Sequence, residues 1–352
     1  MVYKISDTAI IAQENGKTVL IAKDVQYTGN LETTENPILS PDYFTNYFPQ
    51  PVQNIQGQTS GYVVGGDESV AGYVNIIEKF SLSGVGNAAD VGDLTLSRRF
   101  ISTQASANHG YAAGGGQTST VYTNAIDKFP FASDGNATDV GDVLQTQLQA
   151  AAGQSSSTHG YVSGGDTAPT TSVNVIQKFS LSVDGNATDV GDLTLSRARH
   201  AGQTSSDHGY TSGGEAGSTY NIIDKFPFSS DANATDVGDL TVDRDRLAGQ
   251  SSTTHGYASG GYQDPPGVQT NVIDKFSFSS DGNATDVGNL TISRYGISGQ
   301  SSTTHGYASG GNSFPPFVRR NTIERFPVAA DANATDVGDL TVERTFAAGT
   351  QV

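Results

Sequence analysis

The sequence contains no cysteine and no tryptophan, and it has a single methionine. Without cysteine, neither disulfide bonds nor thiolate metal sites can hold the fold together, and redox chemistry says nothing about the compartment. No apolar run approaches the ~18 residues of a membrane-spanning helix, and the start Met-Val-Tyr-Lys-Ile-Ser lacks the basic and apolar regions of a cleaved signal. The sequence therefore predicts neither membrane insertion nor a signal peptide.

Basic residues are scarce as well. The 19 lysines and arginines face 36 acidic residues, which gives a formal net charge of -17. The electrostatic field of this negative charge repels phosphate backbones, so a nucleic-acid partner is not expected. Only 35% of the residues are apolar and 42 are glycine. This composition suits many short strands joined by tight turns better than long helices.

One motif recurs six times along the chain. Its tyrosines stand 47 to 50 residues apart, at Tyr62, Tyr111, Tyr161, Tyr210, Tyr257 and Tyr307. A fixed period of this size indicates repeated supersecondary units. We therefore divide the chain into an N-terminal segment, residues 1–56, and a repeat array, residues 57–352.

Each repeat predicts four short strands. In the fourth repeat these are residues 200–205, 210–212, 221–228 and 236–242. Gly213-Gly214 permits the positive φ that a tight turn after the second strand requires. Four short strands in each repeat, with turn signals between them, are typical of the blades of a β-propeller.

The sequence of motifs within a repeat resembles the kelch repeat. It consists of Tyr-x-x-Gly-Gly at 257–261, Ile-Asp-Lys-Phe at 273–276 and Leu-Thr-x-x-Arg at 290–294. The resemblance covers residues 57–352 and implies four-stranded propeller blades. Kelch blades usually carry a tryptophan in the outer strand, where this chain has Asn-Ala-Thr-Asp-Val-Gly. Near-identical, Gly-Gln-Ser-Ser-rich versions of such repeats also resemble virion proteins of tailed phages.

The spacing of glutamines indicates how the array closes. In the later repeats a glutamine precedes the tyrosine by seven residues, as Gln104 precedes Tyr111, whereas Gln58 precedes Tyr62 by four. A surplus copy of the first strand, residues 346–352, stands at the C-terminus. We expect it to fill the inner position of the first blade and to close an all-β, six-bladed, kelch-like propeller. A seventh blade, made from this strand and the N-terminal hairpin, is the alternative.

The N-terminal segment predicts a small β element and an irregular strap. Residues 2–11 and 18–25 are rich in β-branched residues and flank Asn15-Gly16, a strong hairpin signal. Residues 31–53 contain four prolines and an aromatic cluster. Proline blocks sheet pairing while the aromatic rings need burial, so we expect this segment to lie as an irregular strap on another surface, either the array itself or another subunit.

The repeats differ mainly in the connections from strand two to three and from strand four to one. In an up-and-down blade both connections leave at the same face. Loops on a rigid scaffold usually carry binding residues, and aromatic residues and arginine are enriched at binding hot spots. Neutral drift of exposed loops is the alternative explanation. The candidate binding residues are Tyr73, Phe100, Arg199, His200, Arg246, Tyr262, Asp264, Tyr295, Phe314, Phe317, Arg319 and Arg320.

An acidic loop between strands three and four offers several oxygen donors, the ligand type that Ca²⁺ takes. Its spacing does not match the EF-hand, and Asp, Asn and Gly are also ordinary turn residues, which is the simpler interpretation. The candidate calcium ligands are Asp134, Asp139, Asp184, Asp189, Asp231 and Asp236. We expect local turn bonds rather than metal ligation from His109, His159, His208, His255 and His305.

Two columns of cations also recur with the period. One is a lysine-phenylalanine pair such as Lys275-Phe276, and the other an arginine such as Arg294, with Gln147 interrupting the arginine column. We expect the phenylalanines to fill the core between blades and the cations to pair with neighbouring acidic residues.

No catalytic motif stands out from the repeats: the chain has no Gly-x-x-x-x-Gly-Lys run, no His-Glu-x-x-His and no cysteine nucleophile. We therefore expect no enzymatic activity and no cofactor besides the calcium considered above. The leading hypothesis is an oligomeric virion structural or adhesion protein, a phage tail, fibre or capsid-decorating component assembled in the host cytoplasm. Residues 1–56 would contact other virion proteins, and the varied loops a host-surface glycan or protein. The alternative is a cellular kelch-type carbohydrate- or protein-binding module.

Overall fold

The computed structural model describes the strands within residues 3–22, together with residues 56–69, 72–145, 147–167 and 171–352. The chain divides into two compact units, residues 1–50 and residues 51–352. Every helix or strand assigned in the described residues is a β-strand, which confirms the all-β prediction. In the same residues no helix is long and apolar enough to cross a membrane.

The N-terminal unit contains an antiparallel sheet with the strand order Tyr3–Ser6, Ala9–Glu14 and Lys17–Ala22. Glu14 pairs with Lys17, as a two-residue hairpin connection requires. The predicted hairpin is therefore matched by the strand pairing. The predicted turn at Asn15-Gly16 and the strap at residues 31–53 lie outside the described residues.

The second unit contains six antiparallel sheets of four strands within the described residues. Sheet 2 consists of Ser102–Ala105, His109–Ala113, Ala125–Pro130 and Thr138–Asp142, and sheet 3 of Ala152–Ser155, His159–Ser163, Val175–Ser180 and Thr188–Asp192. Sheet 4 consists of Ala201–Thr204, His208–Ser212, Ile222–Pro227 and Thr235–Asp239, and sheet 5 of Ala248–Ser251, His255–Ser259, Val272–Ser277 and Thr285–Asn289. Sheet 6 consists of Ser298–Ser301, His305–Ser309, Thr322–Pro327 and Thr335–Asp339.

Sheet 1 joins the two ends of the array. Its strands, in spatial order, are Ala348–Gln351, Ser60–Val64, Ile76–Ser81 and Ala89–Asp93. Ala348 pairs with Val64 and Gln351 pairs with Gly61 in antiparallel register. The C-terminal segment therefore supplies the first strand of this sheet, as the glutamine spacing predicts.

The first strands of neighbouring sheets lie side by side. Each contacts the first strand of the next sheet, and the first strand of sheet 1 contacts those of sheets 6 and 2. A Cβ atom at Gly249 would lie 2.2 Å from the carbonyl oxygen of Gly202 in the preceding sheet. Only glycine permits this approach of backbone to backbone.

Aromatic contacts also link each sheet to the next. The ring of Tyr111 in sheet 2 lies 5.5 Å from that of Phe179 in sheet 3, and Tyr307 in sheet 6 lies 5.6 Å from Phe80 in sheet 1. The equivalent pairs are Tyr62 with Phe129, Tyr161 with Phe226, Tyr210 with Phe276 and Tyr257 with Phe326. These rings are buried, which confirms that the phenylalanine column fills the core between repeats.

Buried ion pairs lie at the junctions between sheets. An arginine that follows the fourth strand of one sheet contacts a carboxylate on the third strand of the next, and both side chains are at most 1% exposed. The pairs at 3.1 Å are Arg98 with Asp127, Arg197 with Asp224, Arg244 with Asp274 and Arg294 with Glu324, and the pair at 2.7 Å is Arg344 with Glu78. The prediction that the arginine column pairs with acidic residues is confirmed.

The junction between sheets 2 and 3 has no such pair in the described residues. Leu148 occupies the arginine position. In the other repeats the carbonyl of the buried arginine accepts a hydrogen bond from a glycine N–H, and here the Leu148 carbonyl accepts the equivalent bond from the Gly115 N–H, at 2.7 Å. The assignment of Gln147 to the column was wrong, since this repeat has one extra residue after its fourth strand. Gln177 replaces the acidic residue, and its side-chain oxygen accepts a 2.6 Å hydrogen bond from the Leu144 N–H.

We expect Arg244→Leu to lower the free energy of unfolding by about 3–5 kcal/mol, because Asp274 would be left as an unpaired buried charge. The double variant Arg244→Leu, Asp274→Gln reproduces the Leu148 and Gln177 junction that the chain already contains, and it should recover most of that loss. Urea denaturation of the wild type, both single variants and the double variant measures the coupling. Losses that simply add in the double variant would contradict this account.

Candidate functional site

The two sets of varied connections meet at one end of the sheets. The position after each buried arginine pairs through its backbone with the connection between strands two and three of the next repeat. These pairings join Arg99 to Gly116, Ala198 to Glu215, Asp245 to Tyr262, Tyr295 to Asn312, Leu148–Gln149 to Asp166–Thr167, and Arg344–Thr345 to Asp67–Glu68. The short strands Gly72–Tyr73, Thr171–Ser172, Val268–Gln269 and Val318–Arg319 complete these connections. Both sets therefore leave at one face, as predicted, and together they form what we call the varied face.

A ring of six backbone hydrogen bonds lies at the centre of the varied face. The N–H of Phe100 donates to the Phe346 carbonyl at 2.9 Å, and each following bond joins consecutive repeats at 2.7 or 2.8 Å. The ring residues, in order, are Phe100, Ala150, Arg199, Arg246, Gly296 and Phe346. The five that are not glycine have φ between 53° and 58°, a left-handed conformation that is uncommon for such residues.

The ring residues form the mouth of a cavity of about 150 Å³, which we call the central cavity. Its wall consists of the ring residue and the next three residues of every repeat, from Phe100–Thr103 around to Phe346–Gly349. Most wall residues below the mouth are alanine, serine, threonine or glycine. The long side chains of the ring residues therefore decide which ligand chemistry the mouth can recognise.

One half of the mouth is cationic. Arg199 forms ion pairs with Glu215 and, at 3.7 Å, with Asp166. Burial, reinforced by the nearby charge of Arg246, lowers the pKa of Arg199. Within the described residues Arg246 has one carboxylate neighbour, Asp245, at 3.5 Å from its Nε. The terminal nitrogens of Arg246 therefore retain donors for a ligand.

The other half of the mouth is aromatic. The rings of Phe100 and Phe346 lie 4.3 Å apart, and Tyr295 lies 6.1 Å from Phe346. The guanidinium of Arg99 lies 4.9 Å from the ring centre of Phe100 and 4.5 Å from that of Tyr73. Three predicted residues, Tyr73, Phe100 and Tyr295, are thus brought close to the mouth.

A buried carboxyl group lies beside the cationic half. Burial raises the pKa of Asp245 to about 6, although the charges of Arg246 and Arg199 oppose the shift. One oxygen of Asp245 has no hydrogen-bond partner within the described residues. Tyr262 covers the same region, since its ring lies 5.5 Å from the Arg246 guanidinium and 5.3 Å from the ring of Tyr295.

His200 lies in the wall of the central cavity and not in an exposed variable loop. It is 6% exposed, and its Nε2 donates to the Ser163 carbonyl at 3.0 Å. Burial, with the charge of Arg197, lowers its pKa to about 3, so the imidazole is neutral. The equivalent residues include Ile101 and Leu247, which are also buried. The loop assignment was wrong because the position after the ring residue belongs to the core.

Two hairpins, residues 262–269 and 312–319, extend the varied face outward. The Gln269 side chain donates to the Phe314 carbonyl, which joins the two hairpins. Phe314 and Phe317 are 57% and 54% exposed, respectively. These rings are the large apolar side chains that the varied face presents most openly to solvent.

The remaining predicted residues of this region have partners. Arg319 pairs with Asp67 at 3.1 Å, and Arg320 donates two hydrogen bonds to the Ser313 hydroxyl at 3.0 and 2.8 Å. Asp264 is exposed, and its backbone carbonyl accepts a 3.2 Å hydrogen bond from the Thr219 hydroxyl. Arg319 and Arg320 therefore shape the hairpin, whereas Phe314 and Phe317 are available for contact.

The candidate calcium ligands make separate local contacts. Lys79 pairs with Asp134, Lys128 with Asp184 and Lys178 with Asp231, each across a junction between sheets. Asp139, Asp189 and Asp236 accept hydrogen bonds from backbone N–H groups two residues later, at 3.1 to 3.2 Å. In the described part of the chain no cluster of three or more His, Asp or Glu residues could hold a metal. The loops thus have the bonding of turns.

The histidines before the second strands are also turn residues. The N–H of His159 donates to the Ser156 hydroxyl at 3.0 Å, and Nδ1 of its ring lies 2.8 Å from the Thr158 hydroxyl. The same backbone bond, at 2.9 to 3.0 Å, is formed by His109, His208, His255 and His305. The prediction of local turn bonds is confirmed.

The role of the asparagine in each Asn-Ala segment was missed. Its side-chain oxygen accepts a hydrogen bond of 3.0 to 3.1 Å from the fourth strand of the preceding sheet. The acceptor and donor residues are Asn136 and Asp93, Asn186 and Asp142, Asn233 and Asp192, Asn283 and Asp239, Asn333 and Asn289, and Asn87 and Asp339. These bonds cover the outer sheet edges.

Phe346 was assigned to the C-terminal strand alone, and its place at the mouth was missed. The signal was present, because Phe346 follows Arg344 by two residues, as Phe100 follows Arg98. Arg99 was also left out of the candidate set, although it contacts the rings of both phenylalanines. Alignment of the repeats on their arginines would have identified Phe346.

No protein-family model matches the chain, and no curated protein is found to be similar to it. The function must therefore be inferred from the geometry of the site and from the motifs of the sequence.

We expect His200→Leu to weaken the acid sensitivity of folding. The folded-state pKa of about 3 lies below the ordinary 6.5, so the unfolded chain takes up a proton that the folded chain does not. The resulting stability is fully present above pH 6.5 and is lost as the pH falls towards about 3. Leucine already occupies the equivalent position at Leu247. Urea denaturation at about pH 7.5 and about pH 5 measures this change, and an unaltered pH dependence in the variant would contradict it.

Proposed function

We propose that the second unit is a closed, six-bladed, kelch-like β-propeller. The support is that three types of contact that join the other neighbouring sheets also join sheet 6 to sheet 1. Tyr307 contacts Phe80, Arg344 pairs with Glu78, and Asn87 accepts from Asp339. The seven-bladed alternative is disfavoured, because the C-terminal strand pairs with Ser60–Val64.

We further propose that the chain is a non-enzymatic virion structural or adhesion protein that binds a host-surface glycan or protein through the varied face. One observation carries this proposal. In residues 56–352, every lysine or arginine outside the two repeating columns lies on the varied face. These are Arg99, Arg199, Arg246, Arg319 and Arg320. The repeating cations stabilise the scaffold, and the remaining ones are concentrated where aromatic side chains are exposed.

The ring residues argue against neutral drift of this face. A positive φ costs little for glycine, as at Gly296, and more for other residues. Phe100, Arg199, Arg246 and Phe346 nevertheless hold this conformation. Bulky aromatic and cationic side chains at strained positions support a requirement for those side chains in binding.

We expect the intact protein to bind a subset of acidic glycans on a glycan array, and Phe314→Ala, Phe317→Ala to reduce that binding about tenfold or more, because truncated hot-spot residues typically cost over 1 kcal/mol each. The matched control is Val85→Ala, Val183→Ala, since these valines are 71% and 69% exposed in connections at the opposite ends of the strands. Equal binding by both double variants would contradict the assignment of the face.

The proposed place in a particle is tested through the N-terminal segment. We expect a chain that lacks residues 1–56 to fold as a propeller but no longer to copurify with assembled particles, because that segment is the proposed anchor. Sedimentation of particles with the full-length and shortened chains measures the difference. If the shortened chain assembles normally, the anchoring role is wrong. If neither chain assembles while both bind glycans, the cellular binding module is favoured.

A further inference from the structure

The mouth of the central cavity has two chemically different halves. Phe100 and Phe346 are adjacent in the ring of hydrogen bonds, and so are Arg199 and Arg246. Ala150 and Gly296 separate the two pairs and place little or no side chain between them. A ligand that spans the mouth therefore meets aromatic rings at one end and guanidinium groups at the other.

The cationic half is suited to a carboxylate. Arg199 is already engaged by Glu215 and Asp166, so its charge is largely compensated. Arg246 lines the cavity, and its one carboxylate contact in the described residues is that between its Nε and Asp245, at 3.5 Å. Its terminal nitrogens can bind both oxygens of a carboxylate in the bidentate geometry that guanidinium favours.

The aromatic half is suited to a flat apolar surface. The Phe346 ring lies close to Gly296, because a Cβ atom at that glycine would be 2.7 Å from the ring. The aromatic surface therefore begins next to Arg246, because Gly296, the ring residue between Arg246 and Phe346, has no side chain. The ring of Tyr295 lies on the flank of this surface, 6.1 Å from that of Phe346. The C–H groups on one face of a pyranose can pack on such rings, while its hydroxyls remain hydrated.

We propose that this mouth binds a carboxylated sugar ring, such as the hexuronic acid of an acidic glycan, with the carboxylate on Arg246 and the ring face against Phe346. The cavity of about 150 Å³ admits one such ring and not a folded partner. This proposal rests on the proposed binding role of the varied face, and it names the ligand class for the centre of that face.

Calorimetric titration with D-glucuronate tests the proposal on the full-length chain. D-Glucose has the ring without the carboxylate, acetate has the carboxylate without a ring, and benzoate has a different ring. We expect saturable binding of glucuronate that is about tenfold or more tighter than that of glucose or acetate, because a charge-assisted pair and an apolar contact are each required. If glucose or acetate binds as tightly as glucuronate, the proposal that both halves of the mouth contribute to binding is wrong. If benzoate binds more tightly than glucuronate, the assignment of the ligand as a sugar is wrong.

Three variants locate the site. Arg246→Gln should weaken glucuronate binding about tenfold or more, because a neutral amide cannot form the charge-assisted pair. Ala150→Phe should abolish binding by filling the gap between the halves. The φ of Ala150 is 57°, close to the 55° of Phe100, so the backbone accepts phenylalanine there. The control Arg325→Gln removes an arginine remote from the mouth, whose Nη1 donates to the Gly84 carbonyl, and should leave binding unchanged.

Retention of glucuronate binding by Ala150→Phe would overturn the proposal even if Arg246→Gln failed to fold. The outcome of the glucuronate titration can be distinguished from the outcome of the glycan-array experiment, which tests the proposed function. Glycan-array binding that depends on Phe314 and Phe317, together with no binding of glucuronate, leaves the varied face as the binding face and refutes only the mouth. Binding of glucuronate without array binding supports the mouth and refutes the adhesion role.

Discussion

The close approach of the first strands constrains the rest of the second unit. At Gly153, Gly202, Gly249, Gly299 and Gly349 the backbones of neighbouring sheets come so near that no Cβ atom fits, whereas sheet 2 has Thr103 at the equivalent position. Neighbouring first strands are joined by hydrogen bonds such as that from the Ser251 N–H to the Ser301 hydroxyl, at 2.8 Å. Because such strands cannot carry large side chains where they face one another, most side chains in the wall of the central cavity are small. The long and chemically varied side chains stand at the ends of the strands.

The two kinds of arginine show how the scaffold and the varied face are separated. In five of the six repeats an arginine, such as Arg244, is buried and paired with an acidic residue of the next sheet. Two residues later, the ring position carries phenylalanine, alanine, arginine or glycine in nearly the same backbone conformation. A structure that repeats six times can therefore support an asymmetric face, because the backbone there does not depend on which side chain it carries.

The repeat architecture could be predicted from sequence, because local spacing carries it: the tyrosine period, the paired glycines and the surplus strand at residues 346–352. Features that depend on tertiary position could not. One extra residue after the fourth strand of the second repeat places Leu148, and not Gln147, at the arginine position, which counting from the period does not reveal. His200 is polar and follows a variable residue, yet its burial is decided by neighbouring sheets. The position of Phe346 two residues after Arg344 could be read from the sequence, but the ring of hydrogen bonds that places it at the mouth could not, because the ring joins repeats across the whole array.

The Leu148 and Gln177 junction also limits how the gene could gain or lose repeats. A copied unit with its own arginine and carboxylate can follow any unit of the same kind, since each partner meets its usual counterpart. Copying the third unit on its own would place a second Gln177 opposite Arg197, a cation enclosed without its anion. The second and third units are thus constrained to remain neighbours, and the neutral junction marks the place where an unequal recombination event would be least tolerated.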